Sequence, residues 1–119
     1  MKEAFIYDAI RTPRGKAKAD GSLADLSPFA LLKSLYDAIE ARTGLNQSWV
    51  QDVILGCVSQ VGEQGGNVAK ASLLVADWPD HVPAITINRY CSSGLDAINM
   101  AAMKIMTGQA TCTLAGGVE

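Results

Sequence analysis

One cysteine in this chain stands where a thiol could react. The segment Asn88-Arg89-Tyr90-Cys91-Ser92-Ser93-Gly94 follows a β-branched run, Ala84-Ile85-Thr86-Ile87, and precedes a long apolar stretch. The run reads as a strand and the stretch as a helix, so Cys91 falls at a helix mouth. Unpaired backbone N–H groups and the positive end of the macrodipole favour an anion there. Thiols in such surroundings are drawn toward the reactive thiolate, below the free pKa of ~8.5. Free cysteines also fill cores as small hydrophobes, and placement alone leaves both roles open for Cys91.

The remaining chemistry-bearing residues form no second centre by spacing. Cys57, Cys91 and Cys112 are odd in number and far apart, which fits neither a disulfide framework nor CxxC metal spacing. His81, the sole histidine, makes no local zinc pattern with them. Arg11, Arg14, Lys16 and Lys18 could attract phosphates, but they read more simply as a solvated basic loop. Gly62-Glu63-Gln64-Gly65-Gly66-Asn67 lacks both GxGxxG and the lysine-hydroxyl pair of a nucleotide loop, so it reads as structural or as interface. Met100, Met103 and Met106 read as core filling, and Asn88 and Arg89 as support for the cysteine loop.

The elements that must hold Cys91 follow from periodicity. Phe5-Ile6-Tyr7, flanked by Ala4 and Ala9-Ile10, predicts a first strand. Ser27-Pro28 is a helix start, with serine as N-cap and proline in the first turn. Phe29, Leu32, Leu35, Tyr36 and Ile39 recur at helical spacing, so 28–42 should bury one face until Gly44 stops it. A run apolar on both faces, 52–58, predicts a central strand. A second helix runs from Val68 through Leu74, a third strand over 84–88, a third helix from about Ser92 to Thr107, and a fourth strand over 111–115. The third helix is apolar almost all round and should be buried from several sides. The order β-α-β-α-β-α-β, with crossover-length connections, predicts an α/β protein with a largely parallel sheet.

Composition sets limits on partners. The chain has 119 residues, 49% hydrophobic and 18% charged, a balance that calls for some apolar surface to be covered by something else. A net charge of −2 and the lack of aromatics among basic clusters give no pull toward nucleic acid or an acidic membrane. The N-terminus lacks signal-peptide character, no apolar run approaches the ~20 residues of a membrane span, and free thiols suit a reducing compartment, so a cytoplasmic location is expected. The sequence stops at a strand end with no closing helix, which predicts part of a larger fold.

Four segments, in order, resemble the motifs of one family. Asn88-Arg89-Tyr90-Cys91-Ser92-Ser93-Gly94-Leu95 resembles the nucleophile motif of thiolases, the acyl-CoA acetyltransferases. Asp8-Ala9-Ile10-Arg11-Thr12-Pro13-Arg14-Gly15-Lys16 is similar to their N-terminal signature. Ile54-Leu55-Gly56-Cys57-Val58 through Gly66-Asn67-Val68-Ala69-Lys70 is similar to their second strand and next helix start, and Ala115-Gly116-Gly117-Val118-Glu119 to the end of their fourth strand.

The resemblance implies a layered αβαβα fold of two similar halves, each with a five-stranded mixed sheet. Residues 1–119 would then be the N-terminal part of the first half, ending about where a loop domain begins. It implies reversible condensation and thiolysis of acyl-CoA and acetyl-CoA through an acyl-cysteine, with Cys91 as nucleophile and its backbone N–H as one oxyanion donor. Coenzyme A thioesters would be substrates, and no cofactor or metal is implied. The family's activating histidine, second cysteine, asparagine–histidine oxyanion hole and loop domain lie in later motifs absent here. His81, Cys57 and Cys112 match none of them. The chain is therefore expected to be inactive alone, to need a companion chain or the missing C-terminal part, and to join a homo-oligomer, dimer or tetramer, once complete. The alternative is a non-catalytic thiolase-like subunit or fragment with only an assembly role.

Overall fold

The computed structural model describes residues 1–119. Three parallel strands form its centre: β1 (Asp52–Gly56), β2 (Ala84–Ile87) and β3 (Thr113–Gly117), in the order β2-β1-β3. Val53 pairs with Ala84 and Leu114, and Gly56 with Ile87 and Gly117, so all three strands end on the same side of the sheet. Three helices surround them: α1 (Pro28–Thr43), α2 (Val68–Val75) and α3 (Ser93–Met106). The crossover from β1 to β2 runs one way across the sheet and that from β2 to β3 the other. Crossovers of one hand then put their helices on opposite faces.

Side-chain alternation along β1 sorts the core into two layers. Val53 and Leu55 point into the larger cluster with Leu32 and Tyr36 of α1 and Val68, Ala69 and Leu73 of α2. Ile54 points the other way, against Ala97 and Ala101 of α3. All five residues of β1 are buried, as expected of a central strand with both faces covered. Ser27 caps α1 by accepting from Ala30 N–H at 3.1 Å, Pro28 opens it, and Gly44, with φ +72°, closes it.

Three expectations need correction. Residues 4–10 form no strand: Phe5, Ile6 and Tyr7 are 70–90% exposed, and the arm is fixed only by Lys2 N–H on the Met106 carbonyl and by an Asp8–Arg42 ion pair at 2.8 Å. An extended run becomes a strand only when a neighbour takes its backbone N–H and C=O groups, and none lies beside it. The all-round burial of α3 also fails. The sheet covers the stripe Ser93, Ala97 and Ala101, whereas Leu95 is 63% exposed and Ile98 and Met103 about half exposed. The last strand is shifted, because Gln51 takes Thr111 N–H on its side-chain oxygen and gives its own N–H to the Cys112 carbonyl, so pairing begins at Thr113.

Candidate active site

Cys91 lies just beyond the carboxyl end of β2, where open parallel sheets place their ligands. The chain must reverse there in a few residues to enter α3. Tyr90 does so in the left-handed region, φ +48°. Its N–H goes to Asn88 Oδ1 at 2.8 Å. Its carbonyl accepts from Ser93 N–H at 3.0 Å and from Ser93 Oγ at 2.6 Å, and the same hydroxyl accepts from Arg89 N–H at 2.8 Å. Arg89 closes the outside of the turn with an ion pair to Asp96 at 2.8 Å. Such an exposed pair contributes little on its own, about 0–1 kcal/mol.

The thiol at the centre of this frame is exposed and has no hydrogen-bond partner within the chain. The backbone N–H groups of Cys91, Gly94 and Leu95 are also unpaired. Unpaired amides at the entrance of a helix favour negative charge.

The other two strand ends converge on the same side. Cys57 N–H donates to the Ile87 carbonyl and Val118 N–H to that of Gly56. The Glu119 carboxylate reaches the loop after β1, accepting from Val58 N–H at 3.0 Å and Ser59 N–H at 3.2 Å. Hydrogen bonding from Ser59 above all, with Val58 adding, holds the Glu119 carboxyl below the ordinary carboxylate range. Sequence reasoning assigned no role to Glu119. The available signal was its place at the end of Ala115-Gly116-Gly117-Val118-Glu119, the segment similar to the end of the thiolase fourth strand. Nor did sequence reasoning give Ser93 a role, whereas the Ser93 hydroxyl is the hub of the turn.

The remaining candidates separate from Cys91. Cys57 is 1% exposed, and burial first and the nearby Glu119 charge second push its thiol pKa up. Burial does the same to the half-buried Cys112. His81 precedes β2, at the opposite end of that strand from Cys91, and its nearest partner is the Ser48 carbonyl at 3.4 Å. It cannot serve as base to this thiol. Arg11, Arg14, Lys16 and Lys18 form no ion pair, and they sit on the loop leading from the N-terminal arm. Asn67 gives the glycine-rich loop a structural role. Its oxygen caps α2 through Lys70 N–H and accepts from Thr86 Oγ1, while its amide donates to the Ala84 carbonyl. Asn88 and Arg89 support the cysteine turn, as expected. Among the methionines, Met100 packs beside Ile54 but Met103 is half exposed.

The family model for the thiolase N-terminal domain matches residues 4–119. The whole chain aligns with a steroid 3-ketoacyl-CoA thiolase of Mycobacterium tuberculosis at 41% identity, covering 29% of that protein. It aligns equally completely with a β-ketoadipyl-CoA thiolase of Acinetobacter baylyi at 48% identity, again 29% of its length. A crystal structure of the acetyl-CoA acetyltransferase of Bacillus anthracis superimposes with a TM-score of 0.76 at 38% identity, covering 83% of this chain and 25% of that one. The chain belongs to the thiolase family, as an N-terminal portion with an incomplete α/β thiolase fold. It spans less than a third of the length of these relatives.

Proposed function

We propose that this chain supplies the nucleophile of a thiolase-type acyltransferase, with Cys91 as the acyl-carrying residue. The observation that carries the reading is the exposed Cys91 thiol on a hydrogen-bonded turn at the entrance of α3, whose first amides are unpaired. In this reading the thiolate attacks the carbonyl carbon of an acyl-CoA, and the coenzyme A thiolate leaves with a proton. The acyl-cysteine is then attacked by the α-carbon of a deprotonated acetyl-CoA, which forms the new C–C bond and returns the Cys91 thiolate. Splitting the condensation this way replaces one hard step with two easier ones. Cys91 N–H is our candidate for one oxyanion donor, a contribution of about 3–4 kcal/mol to the transition state where such donors have been removed.

Bases for both deprotonations must come from outside these 119 residues, since no histidine or second thiol of the chain partners Cys91. We therefore assign activity to an assembly that includes the rest of the fold, on the same polypeptide or on a companion chain. The exposed apolar residues of α3 and of the arm support that reading. So does the outer edge of β2, where Ile85 is 44% exposed, and there we expect the complete protein to oligomerise. No helix is long and apolar enough to cross a membrane. With three free thiols, we place the protein in the reducing cytoplasm.

The test is acetyl-CoA incubation of the chain, alone and with the remainder of the fold, followed by peptide mapping. Acetyl should appear on Cys91 in the assembly and vanish in Cys91→Ala. Acetylation spread over all three cysteines, or none in the assembly, would rule the reading out. A stable 12.5 kDa monomer that recruits no other part of the fold would rule out the assembly requirement.

A further inference from the structure

We propose that Ser93 is the positioning residue of the Cys91 turn: its hydroxyl ties the backbone on both sides of Tyr90 and so fixes how the thiol and its neighbouring amides are presented. This rests on the reading of Cys91 as the reacting atom. Ser93 Oγ accepts from Arg89 N–H at 2.8 Å and donates to the Tyr90 carbonyl at 2.6 Å. Between those two bonds Tyr90 sits at φ +48°. A residue with a bulky side chain avoids that region unless its surroundings over-determine it. The ring gives no help, being 76% exposed. Hydrogen bonds to the backbone hold the conformation: Tyr90 N–H on Asn88 Oδ1, Ser92 N–H on the Arg89 carbonyl at 3.1 Å, and three that converge on Ser93.

Ser92 provides the contrast. It occupies the N-cap of α3, where a serine hydroxyl ordinarily accepts from the first turn. Its side chain makes no such bond, and it is exposed. Ser93, inside the helix and only 4% exposed, reaches backward instead. Its backbone is pressed onto Gly56, so the hydroxyl works from a fixed base. A cap would serve α3, whereas this hydroxyl serves the turn before it.

Ser93→Ala and Ser92→Ala each remove one hydroxyl from the same helix entrance. Cys91 in each chain is alkylated with iodoacetate and with iodoacetamide at about pH 8, with folding checked by circular dichroism. The ratio of the two rates, set against that of N-acetylcysteine, reports how strongly the free amides favour an anion. In the unmodified chain it should stand about two- to five-fold above the free thiol. Ser93→Ala should bring it down to the free-thiol value, and Ser92→Ala should leave it raised. Adding Tyr90→Asn to Ser93→Ala should restore it, because asparagine tolerates the left-handed region. A hydroxyl that merely filled space would not be rescued by a change at residue 90.

The proposal is overturned by an unmodified ratio equal to the free thiol, by Ser93→Ala keeping the raised ratio, by Ser92→Ala losing it equally, or by no rescue. Where Ser93→Ala alone does not fold, the double variant decides. Folding with the raised ratio supports the proposal, and failure to fold or a free-thiol ratio overturns it. Neither reagent involves coenzyme A. A chain that behaves as expected here, yet stays unacylated by acetyl-CoA in the assembly, would sink only the acyl-transfer reading.

Discussion

Gly56 and Ser93 meet backbone to backbone: a Cβ placed on Gly56 would lie 2.5 Å from the Ser93 carbonyl carbon and 2.7 Å from Gly94 N. The end of the central strand is therefore the seat on which the first turn of α3 rests, and the position of Cys91 follows from it. Gly56→Ala must push the helix off the sheet or distort the strand, because both partners are backbone. We expect a loss of about 1–3 kcal/mol, typical of overpacking, read as a lower urea midpoint. An unchanged midpoint would mean that the helix entrance is not seated as described.

The three cysteines should label very unequally. Cys91 is exposed, Cys57 is enclosed, and burial raises the thiol pKa of both Cys57 and Cys112. Limited iodoacetamide treatment of the native chain should modify Cys91 first, by at least about ten-fold in rate over Cys57. In denaturant the three should converge. Native labelling of Cys57 as fast as Cys91 would contradict the core placement of β1 and its loop.

Tyr36 links α1 to α2 through a 2.7 Å hydrogen bond with Ser72, beneath the Trp78 ring at 5.1 Å. Burial pushes its phenol up to about 12 from 10.0, with the Ser72 bond opposing. A raised folded pKa means that the native state holds its proton longer than the unfolded chain. The associated stability is thus whole below pH 10 and is lost between pH 10 and 12. Denaturation at the two ends of that window should differ by about 2–3 kcal/mol from this group. Tyr36→Phe should remove that part of the decline and cost about 0.5–1.5 kcal/mol at neutral pH. The same alkaline decline in the phenylalanine variant would assign it to other groups.

Glu119 should act as an acid-sensitive clamp on the loop after β1. Its folded pKa lies below the ordinary 4.5, so the stabilisation is present above 4.5 and is lost as the pH falls through the lower folded value. The Val58 and Ser59 amide resonances should titrate together with a midpoint below 4.5, and Glu119→Gln should abolish that titration. A midpoint at or above 4.5, or two amides that titrate separately, would show that the carboxylate does not hold both.

Where local chemistry decides the structure, the sequence was readable. Ser27-Pro28 and Gly44 bracket α1 as their capping roles require, and the two-faced apolar run expected at 52–58 holds the central strand, which ends two residues sooner at Gly56. The Cys91 turn was placed correctly between strand and helix, because small residues there can only be a tight reversal. Failures arose where the outcome depends on a neighbour. Residues 4–10 have strand composition, but pairing is a property of two segments, and no second one reaches them. The apolar girth of α3 records every surface that it can bury, while this sheet covers only the 93-97-101 stripe. The Ser93 hub and the Glu119 clamp escaped because each depends on geometry across a turn or across some sixty positions.

The strand order has a consequence for how the molecule is put together in time. β1 needs both neighbours, yet β2 begins about thirty residues later and β3 about sixty. Such separations make closure slow compared with helix formation. During synthesis β1, α2 and β2 can meet first, with Ile54 bare on the opposite face until α3 arrives. β3 and Glu119 follow α3, so the Cys91 turn leaves the ribosome before the carboxylate that steadies the adjoining loop. A pause between the two would leave a formed but unbraced cysteine turn, with half of the sheet still open to water.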